Sequence, residues 1–159
     1  MCWNTIAAAC LGLAALSGGA QEALPTDADL KSAYCMGVLE QRIVKLSESD
    51  GLDPQLRAAM AVHKATAQND LHRLRSYVLP RAPRLDSVGL VTARDRGTTD
   101  FLAAQRVVQS CMKTCLAEIQ GRTPQERIAG LVSCSKPCEA AEPAIERTKT
   151  CDKITWLPF

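Results

Sequence analysis

Aromatic residues are the scarcest class in this 159-residue chain: two Trp, two Tyr and two Phe, 4% of the total. So few rings leave no extended surface on which bases or sugars could stack. A dominant charge is also missing, since 19 basic side chains face 17 acidic ones for a formal net charge of +2. That balance argues neither for a nucleic-acid binder nor for an acidic solvating tail. Histidine occurs twice, as His63 and His72. Nine residues is two and a half helical turns, so the two rings face different ways. His63 falls on an apolar seam and is expected as a core or interface histidine.

Motifs that carry chemistry are equally absent. There is no Gly-x-Ser-x-Gly, no His-Glu-x-x-His and no phosphate-binding glycine loop. No Cys-x-x-Cys offers a thioredoxin-like redox site or a haem attachment. Ser110-x-x-Lys113 and Ser133-x-x-Lys136 match the Ser-x-x-Lys of penicillin-binding enzymes. That chemistry also needs Ser-Asp-Asn and Lys-Thr-Gly, and neither occurs. The expectation is a non-enzyme with no cofactor and no metal.

Cysteine, by contrast, is plentiful: the chain has eight. An apolar run from Ile6 to Leu16 is followed by Ser17-Gly18-Gly19-Ala20. Small residues at Gly18 and Ala20 suit the −3 and −1 positions of a cleavable signal peptide spanning 1–20. No Lys or Arg precedes Ile6, a departure from the usual basic start; an apolar anchor or lipidation at Cys10 is the alternative. Cleavage removes Cys2 and Cys10 and leaves an even set: Cys35, Cys111, Cys115, Cys134, Cys138 and Cys151. Six cysteines in an exported chain read as a disulfide framework, which points to a periplasmic or secreted protein.

The apolar spacing is helical throughout, and no useful β-alternation appears. Thr26-Asp27 caps a first helix running to about Ser49, with Cys35, Leu39, Ile43 and Leu46 inward. Asp53-Pro54 starts a second, whose seam is Leu56, Met60, His63, Ala67, Leu71, Leu74 and Val78. Pro80 and Pro83 stop it, and the chain to about Gly97 reads as a connector with no clear period, a short helix there being the alternative. A third helix begins at Thr98–Asp100 and carries Phe101, Ala104, Val108, Cys111, Cys115 and Ile119 on one face. Thr123-Pro124-Gln125-Glu126 then reads as a capping box for a fourth helix bearing Ile128, Leu131 and Cys134. Pro137 interrupts that helix, and Pro143 disturbs whatever follows; the apolar tail Ile154–Phe159 is expected to dock on the core. The predicted fold is all-α: two disulfide-stapled helical hairpins, four main helices, after the signal peptide. Residues 21–79 form the first hairpin, 80–98 an Arg/Pro connector, and 99–159 the Cys-rich hairpin with its tail.

The pattern Ser-Cys-x-Lys-x-Cys occurs twice, at Ser110–Cys115 and Ser133–Cys138. Each copy sets two thiols one helical turn apart on one face. The spacing resembles the twin C-x3-C hairpin of the small chaperones of the mitochondrial intermembrane space. The resemblance covers about 30 of the 159 residues and is taken as a shared architectural device, not as membership. Nested pairing joins Cys111 to Cys138 and Cys115 to Cys134, so that both rungs serve one interface. A turn centred near residue 122 favours Cys111 with Cys134 instead, and six cysteines admit 15 connectivities. With the nested rungs, Cys35 and Cys151 are left for each other. Four such thiols could also hold zinc, although zinc knuckles favour C-x2-C and an oxidising compartment converts these thiols to disulfides.

Residues 72–96 hold six arginines against Asp86 and Asp95, while residues 22–50 hold six acids against three bases. Arg73, Arg75, Arg81 and Arg84 are therefore candidates for contact with an anionic surface or an acidic partner. The alternative is that the run is solvated or pairs with the acidic first helix. The functional expectation is an exported binding protein of the cell envelope, adaptor or chaperone-like, whose partner is another envelope or secreted protein. An accessory or inhibitor of an extracellular hydrolase is the rival reading; a small enzyme without a recognisable motif is a third.

Overall fold

The computed structural model describes residues 23–48, 54–118, 126, 130, 133, 134, 138 and 143–157. The span read as a signal peptide, with Cys2 and Cys10, lies outside them. Four helices order the described chain: α1 (Asp27–Ser47), α2 (Pro54–Val78), α3 (Ser87–Glu118) and α4 (Pro143–Lys149). A 3-10 turn, Ala82–Arg84, joins α2 to α3. Among the described residues there is no strand, only an isolated bridge from Ala23 to Leu85. The protein is an all-α, disulfide-stapled assembly of helical hairpins.

α1 begins where the cap residue predicts. Thr26 donates from its backbone N and its Oγ1 to Asp29 Oδ2, at 2.9 and 2.6 Å, and Asp29 N donates back to Thr26 Oγ1 at 3.3 Å. Reciprocal capping of this kind satisfies donors that the first turn would otherwise leave open. From Ser32 to Leu39 the helix is buried almost all round except at Tyr34. A helix enclosed on several sides must be central, and α1 packs most extensively on α3 and next on α2.

The seam of α2 holds only in its second half. Ala67, Leu71, Leu74 and Val78 are buried against Cys35, Val38 and Leu39 of α1, whereas Met60 is half-buried and His63 is exposed. His63 is thus not a core histidine. The Leu56 side chain lies outside the described residues.

α3 differs most from expectation. It starts at Ser87, not near residue 98, and runs unbroken through Gly89 and Gly97 for 32 residues. Asp86 supplies the start: Val88 N donates to its Oδ1 at 3.0 Å and Gly89 N to its Oδ2 at 3.3 Å. Gly97 is there for a neighbour, not for a turn. A Cβ at Gly97 would collide with the Tyr34 carbonyl oxygen, and one at Gly37 with the Arg94 carbonyl oxygen and, at 2.9 Å, Thr98 N. The backbones of α1 and α3 therefore touch at reciprocal glycines. With Pro25 beside Gly89 and Tyr34 beside Gly97, the two helices run the same way.

The thiols pair in the nested fashion. Cys111–Cys138 and Cys115–Cys134 have Cα atoms 5.5 and 5.9 Å apart, and Cys35–Cys151 has them 5.3 Å apart. All three separations lie in the range that a disulfide spans. Cys134 and Cys138 are helical, as are Glu126, Gly130 and Ser133. The capping box at residues 123–125 and the apolar positions 119, 128 and 131 lie outside the described residues. Pro143 does not disturb a helix; it is the first residue of α4, where its missing N–H has no partner to lose. The tail docks as expected, with Ile154 and Leu157 buried in the main core and Trp156 packed against it.

Candidate functional site

Where α1, α3 and α4 meet, a groove of about 700 Å³ opens to solvent. That volume lies within the range of small-molecule sites. Its α1 wall presents Leu30, Lys31 and Tyr34; its α3 wall presents Val88, Gly89, Thr92, Ala93 and Arg96. Val88, Thr92 and Arg96 recur at intervals of four and so share a face. Arg147 and Thr150 close the third side, and Asp86 stands at the end where α3 begins.

Behind two of the lining side chains, Tyr34 and Arg147, lies a buried carboxylate. Asp100 accepts from Tyr34 Oη at 3.0 Å, from Arg147 Nε at 2.8 Å and from Arg147 Nη2 at 2.9 Å. One side chain on α3 thereby holds α1 and α4 together. The bond from Arg147 comes first in keeping the Asp100 carboxyl below the ordinary carboxylate range; the bond from Tyr34 adds to it, against the opposing effect of burial. Burial, aided by the bond to Asp100, pushes the Tyr34 phenol up from 10.0 to about 12. Arg147 is raised, chiefly by its bond to Asp100.

Covalent and steric constraints reinforce that arrangement. Tyr34 and Thr150 each precede a cysteine of the Cys35–Cys151 bridge, and Arg96 precedes the Gly97 contact with Tyr34. Lys31 lies with its Nζ 3.8 Å from the centroid of the Trp156 ring, a cation–π contact that fixes the upper α1 wall against the tail.

The arginines singled out from sequence are mostly committed elsewhere. Arg75 donates to Glu40 at 2.8 Å, and Arg94 takes the other Glu40 oxygen at 2.9 and 2.7 Å. Arg81 pairs with the fully buried Asp29 at 3.3 Å and lies over the Tyr77 ring, 4.6 Å from its centroid. Arg73 reaches Asp70 at 3.5 Å on its own helix. The Arg84 side chain lies outside the described residues. The contacts of Arg75 and Arg81 are those of the alternative in which the run pairs with the acidic first helix.

A second cleft, about 460 Å³, lies between α1 and α2 with His63 and Asp70 at its edge. The Arg42–Asp152 ion pair, 2.7 Å long, spans part of it. Among the described residues no three His, Cys, Asp or Glu side chains cluster as a metal site would need. No described helix is long and apolar enough to cross a membrane.

Comparison with known proteins returned no matching family model, no similar curated protein and no similar solved structure. The groove was missed from sequence because its α3 wall lies in the stretch read as a connector. Asp86, a cap residue three positions before Gly89, was the available signal.

Proposed function

We propose that the protein is an exported binding protein of the cell envelope, adaptor or chaperone-like, and that the groove between α1, α3 and α4 is its binding site. The observation that carries this reading is the preorganisation of that groove. Its walls are held by a glycine crossing, a buried carboxylate with three hydrogen bonds, and a disulfide, so little ordering cost remains on association. Action by binding also suits the groove's titratable groups. Tyr34 is held protonated and Asp100 ionised through neutral pH, which makes them fixed supports and poor proton carriers. Three disulfides fit an oxidising compartment, extracellular or periplasmic. Within that class we favour export by a cleaved leader, with the natively exported chain beginning at or near Gln21; N-terminal sequencing checks it, and retention of residues 1–20 would count against it.

The groove is tested by site-specific photocrosslinking in the native envelope. A photoreactive residue at Thr92, on the α3 wall, is expected to give a discrete adduct. The same residue at Val62, which is exposed on α2 and outside the groove, is expected to give none. Equal adducts at both positions, or none at Thr92, would remove the groove as the binding site.

A further inference from the structure

The groove carries its two arginines at one end and its most exposed apolar side chain at the other. From Val88 to Arg96 is eight residues of α3, or about 12 Å at the helical rise. Leu30, Val88 and Ala93 line the apolar part, and Val88 is left 71% exposed. An apolar side chain so open on the rim of a concavity loses solvent only when something apolar lies against it. Arg96, Arg147 and Tyr34 mark the other end, the last two backed by Asp100.

The charges there are not balanced alike. Arg147 uses two donors on Asp100, and Lys31 faces the Trp156 ring. Arg96 is exposed and makes no hydrogen bond or ion pair among the described residues, although its charge is felt at Asp100. The carboxylate at the opposite end, Asp86, is turned to the backbone N–H groups of Val88 and Gly89. The groove therefore favours an anion at its Arg96 end.

We propose that this groove binds a free long-chain carboxylate, headgroup on the Arg96 guanidinium and chain along Leu30, Val88 and Ala93. The inference rests on the reading of the groove as the binding site. A flat bilayer cannot enter a concave cleft between helices, whereas a single chain can. One guanidinium fork meets both oxygens of a carboxylate with two parallel bonds, while a phosphate monoester dianion carries a third charged oxygen that this single fork does not reach.

The test uses the exported, disulfide-bonded protein and dodecanoate kept below its micellar concentration, followed by isothermal titration calorimetry. Saturable one-to-one binding is expected, at least about tenfold tighter than for the neutral dodecyl maltoside, which is about 1.4 kcal/mol. Arg96→Gln should weaken dodecanoate about tenfold and leave the neutral amphiphile unchanged. Val88→Asp should weaken both, and Arg75→Gln, outside the groove, neither. Native circular dichroism and intact disulfides are required of every variant. Absence of saturable binding by the parent, or equal affinity in Arg96→Gln, overturns the proposal. So does binding to phosphatidylglycerol vesicles without binding to dodecanoate, which would make a membrane the source of the anion. If Thr92 captures a protein in the crosslinking experiment while dodecanoate fails to bind, the carboxylate inference falls and the binding groove stands. If Thr92 captures nothing, the groove itself falls.

Discussion

Asp100 and Tyr34 respond to pH in opposite directions. A carboxyl lowered in the folded state contributes stability that is complete above its ordinary value of 3.8 and lost as pH falls through the lowered one. A phenol raised in the folded state contributes stability that is complete below pH 10.0 and lost between there and about 12. In a Tyr77→Phe background the ultraviolet absorbance of the phenolate reports Tyr34 alone, and its midpoint is expected near 12. Asp100→Asn should lower that midpoint but leave it above 10.0, because burial is the larger cause. Titration at the ordinary value in the parent would show that Tyr34 is neither buried nor bonded to Asp100 as described. Asp29 is a different case: it is fully buried, yet Thr26 donates to it twice and Arg81 is 42% exposed. Solvent screening weakens such a pair, so Arg81→Gln should cost only about 1 kcal/mol by urea unfolding. A loss several times larger would mean that Asp29 depends on Arg81 far more than its exposure implies.

At the scale of elements, the α1–α3 crossing sets the distance between the groove's two main walls. Ala in place of Gly normally favours a helix by about 1 kcal/mol. At Gly37 the added methyl meets backbone, which cannot swing aside, so overpacking prevails and Gly37→Ala is expected to destabilise by about 2 kcal/mol. Gly97→Ala should act likewise, and the double variant should cost less than the two single losses combined, since one separation of the helices relieves both clashes. A stabilised Gly37→Ala would show that α1 and α3 are not in backbone contact. The twin bridges illustrate a second kind of coupling. With Cys115–Cys134 in place, Cys111–Cys138 closes only the four residues on either side, not the full separation of 27. Removing either one by paired Cys→Ala should therefore cost about 2.5 kcal/mol, and removing both about 6 kcal/mol, on the chain-entropy model.

For the whole molecule, Cys35–Cys151 is the long tie. Its ends are 116 residues apart and both cysteines are fully buried. On the same model its loss is worth about 5 kcal/mol, more than either twin bridge alone. Small domains have about 5–15 kcal/mol in total, so Cys35→Ala/Cys151→Ala should show the largest drop in melting temperature of the three paired variants. It should also release the tail that carries Trp156, seen as a red shift of its fluorescence at temperatures where the helices persist. If the tail stays docked, Ile154 and Leu157 suffice to hold it, and the bridge acts only on the unfolded chain.

Local rules were enough to place α1 and α2: Thr26 and Pro54 announce their starts, and the buried positions recur at helical spacing, in α2 only from Ala67 onward. The Ser-Cys-x-Lys-x-Cys repeat likewise determined which thiols share a helix face, because period alone puts Cys111 with Cys115 and Cys134 with Cys138 on single faces, while the nested pairing between them came only from the packing. Neighbours decided the rest. Gly97 reads as a breaker along the chain and becomes a contact surface only when Tyr34 lies across it. Asp29, Glu40 and Asp100 look alike in sequence, yet one is buried under Arg81, one is shared by Arg75 and Arg94, and one ties three helices. Half of the groove's lining comes from a stretch with no apolar period of its own, since those residues face a cleft and not a core. Periodicity records which side of a helix is buried. It cannot record which other helix arrives there, because that depends on contacts between residues far apart in the chain, and those exist only once the helices have packed.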